Sequence, residues 1–445
     1  MANQTIFKSY DIRGIYPAEL NEDAAYEIGR AFVKLTGAKR VAVARDARLS
    51  GPALFASLTR GLVDQGADVF DIGQTLTECL YFAVGNYDFD SGIMITASHN
   101  PKEYNGFKMM TRHGDKIEII RGKDLFSAIG EGKFEDAVQK GKITQKDIWD
   151  DFIKRILSFS EPGKIKPFDI AIDASNGVAG LAISKIGDKL PNKIFLLNHE
   201  PDGNFPNHSP NPLAEGSSEQ IKNEILKEEA AFGFMFDGDA DRIFLVDENG
   251  ELVRADVTLL LLAKYFLRKN PGMAVAYNAI CSKAVPEFIE KWGGKPVRTQ
   301  VGFVNVREGL MKNNGIMGGE LSGHYCFKDN FYLDSGIIAL FTLLSVISED
   351  SRSLSQIVKE LSPYAKGAEL NFEVNNKEEI MDRVKQKYTD GQQDFLDGVT
   401  VTYKDWWFNV RPSNTEPLLR LTIEADTEDM RKIKEKELAE IITQK

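Results

Sequence analysis

Apolar residues recur every three or four positions between residues 21 and 36, which is the spacing of one face of a helix. Asn21 before this stretch and Gly37 after it are typical of a helix start and a helix end. The elements predicted next are a strand at 41–44, a helix at 52–65, and strands at 69–72 and 92–96. Strands that alternate with helices predict a parallel, doubly wound sheet whose ligands lie at the carboxyl ends of the strands.

The same alternation returns from about residue 149 and again from about residue 253. The second pass has predicted strands at 169–172, 193–197 and 233–236 and helices at 181–190 and 217–228. The third has helices at 257–267, 283–292 and 304–312, strands at 274–277 and 295–299, and an apolar run at 316–318. Three segments with the same order of strands and helices are harder to attribute to chance than one such segment.

The pattern changes after two helices predicted at 335–347 and 354–361. We interpret residues 363–369 as a linker. Beyond it lie strand-like runs at 371–374, 399–403, 407–410 and 418–423 and helices near 378–388 and from 427. The predicted domains are therefore 1–148, 149–252 and 253–362, which are similar doubly wound mixed α/β domains, and 363–445, which is a small α+β domain.

The bulk composition describes a soluble, multidomain chain of 445 residues, of which 42% are hydrophobic. A formal net charge of −11 argues against nucleic acid or an anionic membrane as a general partner. A small anionic substrate remains compatible with this charge where basic residues gather locally. The N-terminus lacks an apolar core of signal-peptide length, and the run at 337–347 is too short to span a bilayer. We expect a cytoplasmic protein.

Three widely spaced cysteines, Cys79, Cys281 and Cys326, do not form the even-numbered pattern of a disulfide framework. They predict free thiols in a reducing compartment, packed as small apolar residues.

Ser98 ends the apolar run at 93–97 and begins a polar turn that Pro101 closes. A hydroxyl at the tip of a strand can be held exposed and oriented, as a nucleophile or a phosphoryl carrier requires. His99 and Lys108 are close enough in sequence to supply proton transfer or charge. The alternative is an ordinary turn after a strand, which this stretch by itself favours.

An acidic turn places Asp237, Asp239 and Asp241 at alternate positions, which suits Mg²⁺ if the turn wraps around one point. A calcium-binding helix-loop-helix is a second interpretation, because Glu248 falls at the twelfth position. It fails because Arg242 occupies the sixth position, where that loop needs glycine, and because the flanks are strand-like. A solvated acidic turn is the other alternative, although three close carboxylates repel one another without a cation.

A loop near the C-terminus combines Arg411, Ser413, Asn414 and Thr415. A guanidinium with hydroxyl, amide and backbone donors is the set of groups that binds a phosphate dianion. Such a loop alone is more often a surface turn, but an acidic turn and a candidate carrier serine elsewhere in the chain favour phosphate binding.

Glu320, Ser322 and His324 can exchange hydrogen bonds with the vicinal hydroxyls of a sugar, although this short stretch alone specifies little. The remaining histidines are interpreted as packing or surface residues: His113, His199 and His208.

Taken together, these loops resemble the α-D-phosphohexomutase family, in its phosphomannomutase/phosphoglucomutase branch. The resemblance spans essentially the whole chain, and its motifs occur in the family's order. They lie at residues 10–13, 45–50, 96–101, 105–108, 237–242, 319–324 and 411–417.

The resemblance implies four domains around a central cleft, the last of them a phosphate-binding domain. Ser98 would carry a phosphoryl group, give it to a hexose monophosphate to form a hexose 1,6-bisphosphate, and recover one from the other end. That bisphosphate would serve as intermediate and activator. Mg²⁺ would be held by Asp237, Asp239, Asp241 and the phosphate on Ser98.

Further roles are implied by the same resemblance. Lys108 and His324 are candidates for general acid and base, and Arg242 and Arg13 would lie near the transferring phosphate. The implied substrate-binding residues are Tyr10, His99, Gly302, Glu320, Ser322, His324, Arg411, Ser413, Asn414, Thr415 and Arg420. The implied substrate is a mannose or glucose phosphate, and the oligomeric state is left open between monomer and dimer.

Two positions depart from the family's pattern and concern the choice of sugar. Ile280 lies where many relatives have a basic residue, and Phe303 lies where several have histidine. A phosphoglucosamine mutase is the nearest alternative, although Asn414 and the Glu320 loop favour the hexose branch. A metal-dependent sugar phosphatase and a non-catalytic sugar-phosphate-binding protein are alternatives from other classes.

Overall fold

A computed structural model describes residues 3–8, 10–130, 134–159, 161–413 and 418–444. The chain forms two compact units, Met1–Arg254 with Gly323–Leu354 and Ala255–Ser322 with Ser355–Lys445. Short 3₁₀ helices lie at Gln4–Ile6, Pro162–Lys164, Gly187–Lys189 and Lys328–Asn330. Within the described ranges no helix has both the length and the apolar character that crossing a bilayer requires.

The first sheet belongs to the first unit and is mixed. Its strands are β1 (Ile12–Ile15), β2 (Arg40–Arg45), β3 (Asp68–Gln74), β4 (Ser91–Ile95), β5 (Tyr104–His113), β6 (Lys116–Ile120) and β7 (Ile143–Gln145). The accompanying helices are α1 (Glu22–Thr36), α2 (Gly51–Asp64), α3 (Thr77–Asn86) and α4 (Gly122–Gly130). The strand order is β1-β5-β4-β2-β3-β7, with β6 beside β5. Strands β4, β2, β3 and β7 run parallel, whereas β5 is antiparallel to β4 and β1.

Helix α1 confirms its sequence prediction at both ends. The side chain of Asn21 accepts a hydrogen bond from the backbone N–H of Ala24, and Gly37 ends the helix with a φ of +66°. The helix packs directly on α2, because a Cβ atom added to Gly29 would lie 2.3 Å from the carbonyl oxygen of Leu58. The apolar faces of both helices thus close over one side of the first sheet, with Phe32 fully buried in that core.

The second sheet, also in the first unit, follows the predicted pattern closely. Its elements are α5 (Trp149–Leu157), β8 (Asp169–Asp173), α6 (Ala179–Ile186), β9 (Lys193–Leu197), α7 (Glu219–Glu228), β10 (Phe232–Phe236) and β11 (Ile243–Val246). The order is β11-β10-β8-β9. Strands β10 and β11 form an antiparallel hairpin in which Phe236 pairs with Ile243. The acidic turn therefore joins two strands, which confirms the rejection of a calcium-binding helix-loop-helix.

The next segment is divided between the two units. The second unit contains α8 (Ala255–Lys269), β12 (Ala274–Asn278), α9 (Ala284–Lys291), β13 (Lys295–Thr299), α10 (Phe303–Lys312) and β14 (Met317–Gly319). Here β12 lies parallel to β13 and β14. The first unit contains the antiparallel strands β15 (Tyr325–Phe327) and β16 (Leu333–Asp334) and the buried helix α11 (Gly336–Ser348).

The C-terminal domain is built on an antiparallel sheet in the second unit. Helix α12 (Leu354–Leu361) precedes this domain. The elements of the domain are β17 (Ala365–Lys366), β18 (Leu370–Glu373), α13 (Lys377–Lys387), β19 (Gln392–Asp394), β20 (Val399–Thr402), β21 (Trp406–Pro412), β22 (Leu418–Ala425) and α14 (Glu428–Thr443). Residues 363–369 do not form the expected free linker, because Ala365 pairs with Ala425 in this sheet. Backbone hydrogen bonds to β22 fix the segment at the edge of the domain.

The three cysteines are buried free thiols, as the sequence predicts. The predicted pattern of α/β domains followed by an α+β domain is likewise confirmed. Elements absent from the sequence prediction include β1, α3 and the strands after the serine turn, β5 and β6.

Candidate active site

The acidic turn after β10 forms a buried cluster. Asp237, Asp239 and Asp241 are at most 2% exposed. One ligand atom from each lies within 4.8 Å of the other two, a spacing that a single cation can bridge. The alternative of a solvated acidic turn is wrong, since these carboxylates are removed from solvent.

Ser98 contacts this cluster directly. Its hydroxyl donates a hydrogen bond of 2.7 Å to Oδ2 of Asp237. The expected exposure of Ser98 is wrong, because the residue is fully buried. The acidic turn covers it so closely that a Cβ atom on Gly238 would lie 2.7 Å from the Ser98 carbonyl oxygen. Ser98 has a φ of +50°, a left-handed conformation that the surrounding structure must stabilise.

Lys108, on β5, lies between two of the aspartates. Its Nζ is 2.7 Å from Oδ2 of Asp239 and also bonds Oδ2 of Asp241. Burial lowers the pKa of Lys108, but Asp239 and Asp241 raise it more, so the pKa lies well above its usual value. The ammonium therefore holds two carboxylates in place by one oxygen each.

The remaining oxygens of these carboxylates fit a metal ion. Oδ1 of Asp239 and Oδ1 of Asp241 are buried and have no hydrogen-bond partner among the described residues. A buried carboxylate oxygen without a partner is costly, and a hard divalent cation would satisfy both atoms. Together with Asp237 they form an all-oxygen set that could hold a metal ion.

Crowding of carboxylates changes their protonation. Burial, Asp241 and Asp239 raise the pKa of Asp237 to about 7. Asp241 behaves oppositely. Burial raises the pKa of Asp241, but Lys108 and His324 lower it by more than burial raises it. The pKa of Asp241 therefore lies well below its usual range. The turn thus combines carboxylates of opposite pKa shift, because Asp237 faces two other carboxylates whereas Asp241 faces the ammonium of Lys108.

Arg242 and His324 complete one side of the cluster. His324 is fixed beside the acidic hairpin because the backbone N–H of Ile243 donates to the carbonyl oxygen of Gly323. Nε of Arg242 donates to Nε2 of His324 over 3.2 Å and lies 3.6 Å from Oδ2 of Asp237. Nε2 of His324 also lies 3.5 Å from Oδ1 of Asp241, so the ring contacts both an arginine and a carboxylate of the cluster.

His99 lies on the other side of the serine hydroxyl. Its Nδ1 is 3.3 Å from Oγ of Ser98. Arg242, burial and Arg13 together lower the pKa of His99 far below its usual value. The imidazole is therefore neutral and able to exchange a hydrogen bond without adding charge.

Arg13 is held between the entry segment and the serine turn. Its Nε lies 2.7 Å from Oδ2 of Asp11, and its Nη1 donates to Oδ1 of Asn100 over 2.6 Å. The half-buried Tyr10 immediately precedes Asp11. The 10–13 motif thus delivers a guanidinium next to the serine turn, as the resemblance implies.

Three of the predicted sugar-binding residues lie in the second unit and contact one another. The backbone N–H of Gly302 donates to Oε2 of Glu320 over 3.2 Å, and the hydroxyl of Ser322 bonds Oε1 of the same carboxylate. Ile280 is buried, so this departure from the family's pattern is an apolar packing residue. Phe303 begins helix α10 directly after Gly302.

The predicted phosphate loop is described as far as Ser413, which follows β21. Arg411 and Arg420 are directly opposed on β21 and β22. Both bind Glu369: Nη2 of Arg411 donates to Oε1 over 2.8 Å, and Nη1 of Arg420 donates to Oε2 over 3.1 Å. The predicted residues Asn414 and Thr415 lie outside the described residues.

Sequence reasoning missed several polar residues that support these groups. Oγ1 of Thr77 donates to Oδ2 of Asp239 over 2.6 Å. Glu78 accepts from Ser335 and from the backbone N–H of Ile337, and burial raises its pKa to about 8. A threonine and a glutamate before the apolar run at 79–84 are typical of a helix start, which is the signal that could have located α3.

The chain matches models of all four domains of one protein family. The α/β/α domains I, II and III of phosphoglucomutase/phosphomannomutase match residues 4–134, 150–250 and 254–364. The C-terminal domain of the same family matches residues 369–440.

Individual relatives match over nearly their whole length. A phosphomannomutase of Methanocaldococcus jannaschii is 37% identical over 442 residues, covering 98% of this chain and 97% of that one. A phosphomannomutase of Escherichia coli K12 is 34% identical over 436 residues, covering 96% of each chain. The crystal structure of a phosphoglucomutase/phosphomannomutase family protein from Burkholderia thailandensis superposes with a TM-score of 0.90 at 32% identity. The match covers 99% of this chain and 98% of that one.

Four domain matches in order and identities above one third define the class of enzyme. The chain belongs to the phosphoglucomutase/phosphomannomutase family. The prediction of a phosphohexomutase, an enzyme of the isomerase class, is thereby confirmed.

Proposed function

We propose that this enzyme moves a phosphoryl group reversibly between C1 and C6 of mannose or glucose phosphate, with Ser98 as the carrier. One observation supports this proposal above the others. The Ser98 hydroxyl bonds Asp237 within a buried cluster of three carboxylates, two of which have an oxygen without a hydrogen-bond partner among the described residues. A buried serine at an acidic, cation-compatible site suits phosphoryl transfer better than a structural role.

The proposed cycle has two half-reactions that mirror each other. In the first, the bond between phosphorus and Oγ of phosphorylated Ser98 breaks, and a hydroxyl oxygen of the hexose monophosphate forms the new bond to phosphorus. The hydroxyl proton passes to a base, and the serine oxygen regains a proton. The resulting hexose 1,6-bisphosphate reorients, and its other phosphoryl group returns to Ser98 by the reverse steps.

Residues around Ser98 provide the groups that these steps require. His324, which contacts Arg242 and Asp241 beside the serine turn, is the candidate base for the sugar hydroxyl. Lys108 is the candidate acid, and its ammonium, which bonds Asp239 and Asp241, would also offset negative charge on the phosphoryl group. Arg13 and Arg242 lie beside the serine turn and would stabilise negative charge on the transferring group.

Asp237, Asp239 and Asp241, with the phosphate on Ser98, would hold Mg²⁺. When bound, this cation supplies positive charge that offsets the charge of the transferring group. The three aspartates would fix the position of that charge, because each carboxylate is itself held by another side chain. Ser98 bonds Asp237, and Lys108 bonds Asp239 and Asp241.

Residues of the second unit would bind the rest of the substrate. The linked Gly302, Glu320 and Ser322 would contact sugar hydroxyls, and the pair of arginines on β21 and β22 would bind the distal phosphate. Phosphoglucosamine mutase remains the nearest alternative function.

A coupled assay tests the proposal against its alternatives. Purified enzyme is given glucose, mannose and glucosamine 1-phosphates with Mg²⁺ and a trace of glucose 1,6-bisphosphate, and both 6-phosphate formation and free phosphate are measured. We expect conversion of the two hexose phosphates without net phosphate release. Faster conversion of glucosamine 1-phosphate would favour the alternative mutase, and stoichiometric release of phosphate would indicate a phosphatase.

A further inference from the structure

Arg48, in the 45–50 motif, has no role in the chemistry above, yet it is one of the most buried side chains of the molecule, at 1% exposure. Its guanidinium donates four hydrogen bonds to backbone carbonyls, all of them between Ser98 and the first residue of β5. Nη2 donates over 2.7 Å each to Ser98 and Asn100, and Nη1 donates over 2.7 Å to Pro101 and 2.9 Å to Tyr104. A planar guanidinium is suited to such a set because its donors have a fixed direction.

The same arginine is connected to the amide side of the turn. Oδ2 of Asp46 accepts from Nε of Arg48 over 3.1 Å and from Oγ1 of Thr96 over 2.7 Å. Thr96 in turn accepts a 2.8 Å hydrogen bond from the backbone N–H of Ser98. Both the N–H and the carbonyl of Ser98 are therefore fixed by one buried network.

A loop of the second sheet closes over Arg48. The ring of Phe205 lies 5.3 Å from the guanidinium carbon. Gly203 packs against the backbone of the motif, since a Cβ atom there would lie 2.9 Å from Cα of Arg48. This cover keeps water from the hydrogen bonds of Arg48, where water would compete for the same carbonyls.

We propose that Arg48 is a positioning residue that holds Ser98 in its left-handed conformation, with the hydroxyl directed at Asp237. This inference rests on the proposed role of Ser98 as phosphoryl carrier. A non-glycine residue at a φ of +50° persists only where several contacts enforce it, and Arg48 supplies four of them in one rigid group. Arg48 does not touch the reacting oxygen, so it acts through the placement of the serine.

The expected effect is on turnover more than on substrate affinity. Displacement of a reacting group by about 1 Å can cost about 100-fold in rate. The residues proposed to hold sugar and distal phosphate lie on other segments of the chain. Arg48→Lys should therefore lower kcat by about 100-fold and change KM by less than about threefold.

Arg48→Lys is the decisive variant because lysine retains the charge and the apolar stem but cannot span four carbonyls. Thr96→Val serves as a second variant, since it removes the acceptor of the Ser98 N–H and the donor to Asp46 but leaves Arg48 in place. Arg112→Lys is the matched control. Arg112 also donates to backbone carbonyls of the first sheet's domain, at 2.8 Å to Tyr87 and 3.3 Å to Val84, but these lie outside the serine turn.

Three experiments are done on the parent and each variant. They measure the melting temperature, the kinetic constants kcat and KM, and hydrogen exchange of the peptide that covers residues 97–105. We expect Arg48→Lys and Thr96→Val to have a lower kcat and less exchange protection in this peptide. Arg112→Lys should keep the parental kcat and protection, even if its melting temperature falls. The proposal is overturned if residues 97–105 stay protected in both site variants, or if their kcat matches that of Arg112→Lys.

The exchange measurement does not depend on phosphorylation of Ser98. If the phosphate of the parent enzyme maps to another residue, the proposed function fails, but the exchange result still shows whether Arg48 orders the serine turn.

Discussion

The ammonium nitrogen of Lys108 lies 2.7 Å from Oδ2 of Asp239, although the two residues belong to different sheets of the first unit. Lys108 is on β5, whereas Asp239 is in the turn between β10 and β11. Ser98 and Asp237 span the same two domains with their 2.7 Å hydrogen bond. The candidate chemistry is thus assembled at a junction between domains, and neither domain contains it alone.

Loss of one carboxylate should weaken metal binding and turnover together. In Asp239→Asn the amide keeps the shape but loses the charge that faces the cation. We expect the half-saturating Mg²⁺ concentration to rise by about 10- to 100-fold, the value of one charge-assisted contact. The rise in melting temperature that Mg²⁺ causes in the parent should shrink in parallel, which is a readout independent of activity.

Asp247→Asn is the matched control for this prediction. Asp247 is also a buried aspartate after β11, but it accepts from the backbone N–H groups of Asn249 and Glu251. Its variant should bind Mg²⁺ as the parent does. An unchanged Mg²⁺ titration in Asp239→Asn would show that the metal site is elsewhere.

His208 should make stability depend on pH near neutrality. Nε2 of His208 lies 3.0 Å from Oδ2 of Asp173 in the second sheet's domain. Burial lowers the pKa of His208, but the hydrogen bond and charge of Asp173 raise it more, so it ends above its ordinary value of 6.5. The folded state therefore binds the proton more tightly than the unfolded state. The stabilisation is complete below pH 6.5 and is lost as pH rises through the folded pKa.

Melting temperatures from pH 6 to pH 8.5 test this prediction. The parent should lose stability as pH rises above 6.5, and His208→Gln should lose much of that dependence. His113→Gln is the control, because the side chain of His113 is 62% exposed. An identical pH profile in the parent and His208→Gln would contradict the assignment.

Arg411 should contribute to substrate affinity. Its side chain is only 5% exposed and pairs with Glu369, so its guanidinium is already oriented. Arg411→Ala should raise KM for the hexose phosphate by about 10- to 100-fold, through loss of a charge-assisted phosphate contact. Arg383→Ala is a suitable control, since Arg383 donates to carbonyls of the C-terminal helix region. A parental KM in Arg411→Ala would exclude the role.

The two epimeric hexose phosphates should both be converted. In the proposed cycle the bisphosphate binds in two opposite orientations, so it would use only contacts that tolerate exchange of its ends. The apolar Ile280 and Phe303 also remove two possible polar contacts to the ring. We expect kcat/KM for glucose and mannose 1-phosphates to agree within about two orders of magnitude. A larger preference would show that other residues recognise the configuration at C2.

The sequence predicts best those features that depend on neighbours along the chain. Asp237, Asp239 and Asp241 share one turn, so their spacing brings them together in almost any fold. Helix α1 is predictable because its apolar residues follow a single period. No such period reveals helix α3, because Thr77–Asn86 is buried on nearly every side and shows no polar face, which leaves only the helix-start residues Thr77 and Glu78 as a signal.

Features that depend on distant pairs were not predictable. Thr77 and Asp239 are 162 positions apart, and no local pattern indicates that they bond. Glu369 was assigned to a linker because only the folded sheet brings it to Arg411 and Arg420. The burial of Ser98 was missed for a similar reason, since the turn that covers it comes from another domain.

The central claim is that Ser98 carries the phosphoryl group, and phosphopeptide mapping tests it most directly. The parent and Ser98→Ala are incubated with glucose 1,6-bisphosphate and Mg²⁺, and the phosphate on each chain is counted and located by mass spectrometry. Ser91→Ala is the control, because Ser91 is a buried serine on β4 whose hydroxyl contacts Thr111. We predict one phosphate on Ser98 in the parent and in Ser91→Ala, which exchanges with the phosphate of an added hexose 1-phosphate, and none in Ser98→Ala, whose turnover should fall by more than about 1,000-fold. Phosphate on another residue, or parental turnover in Ser98→Ala, would contradict the account.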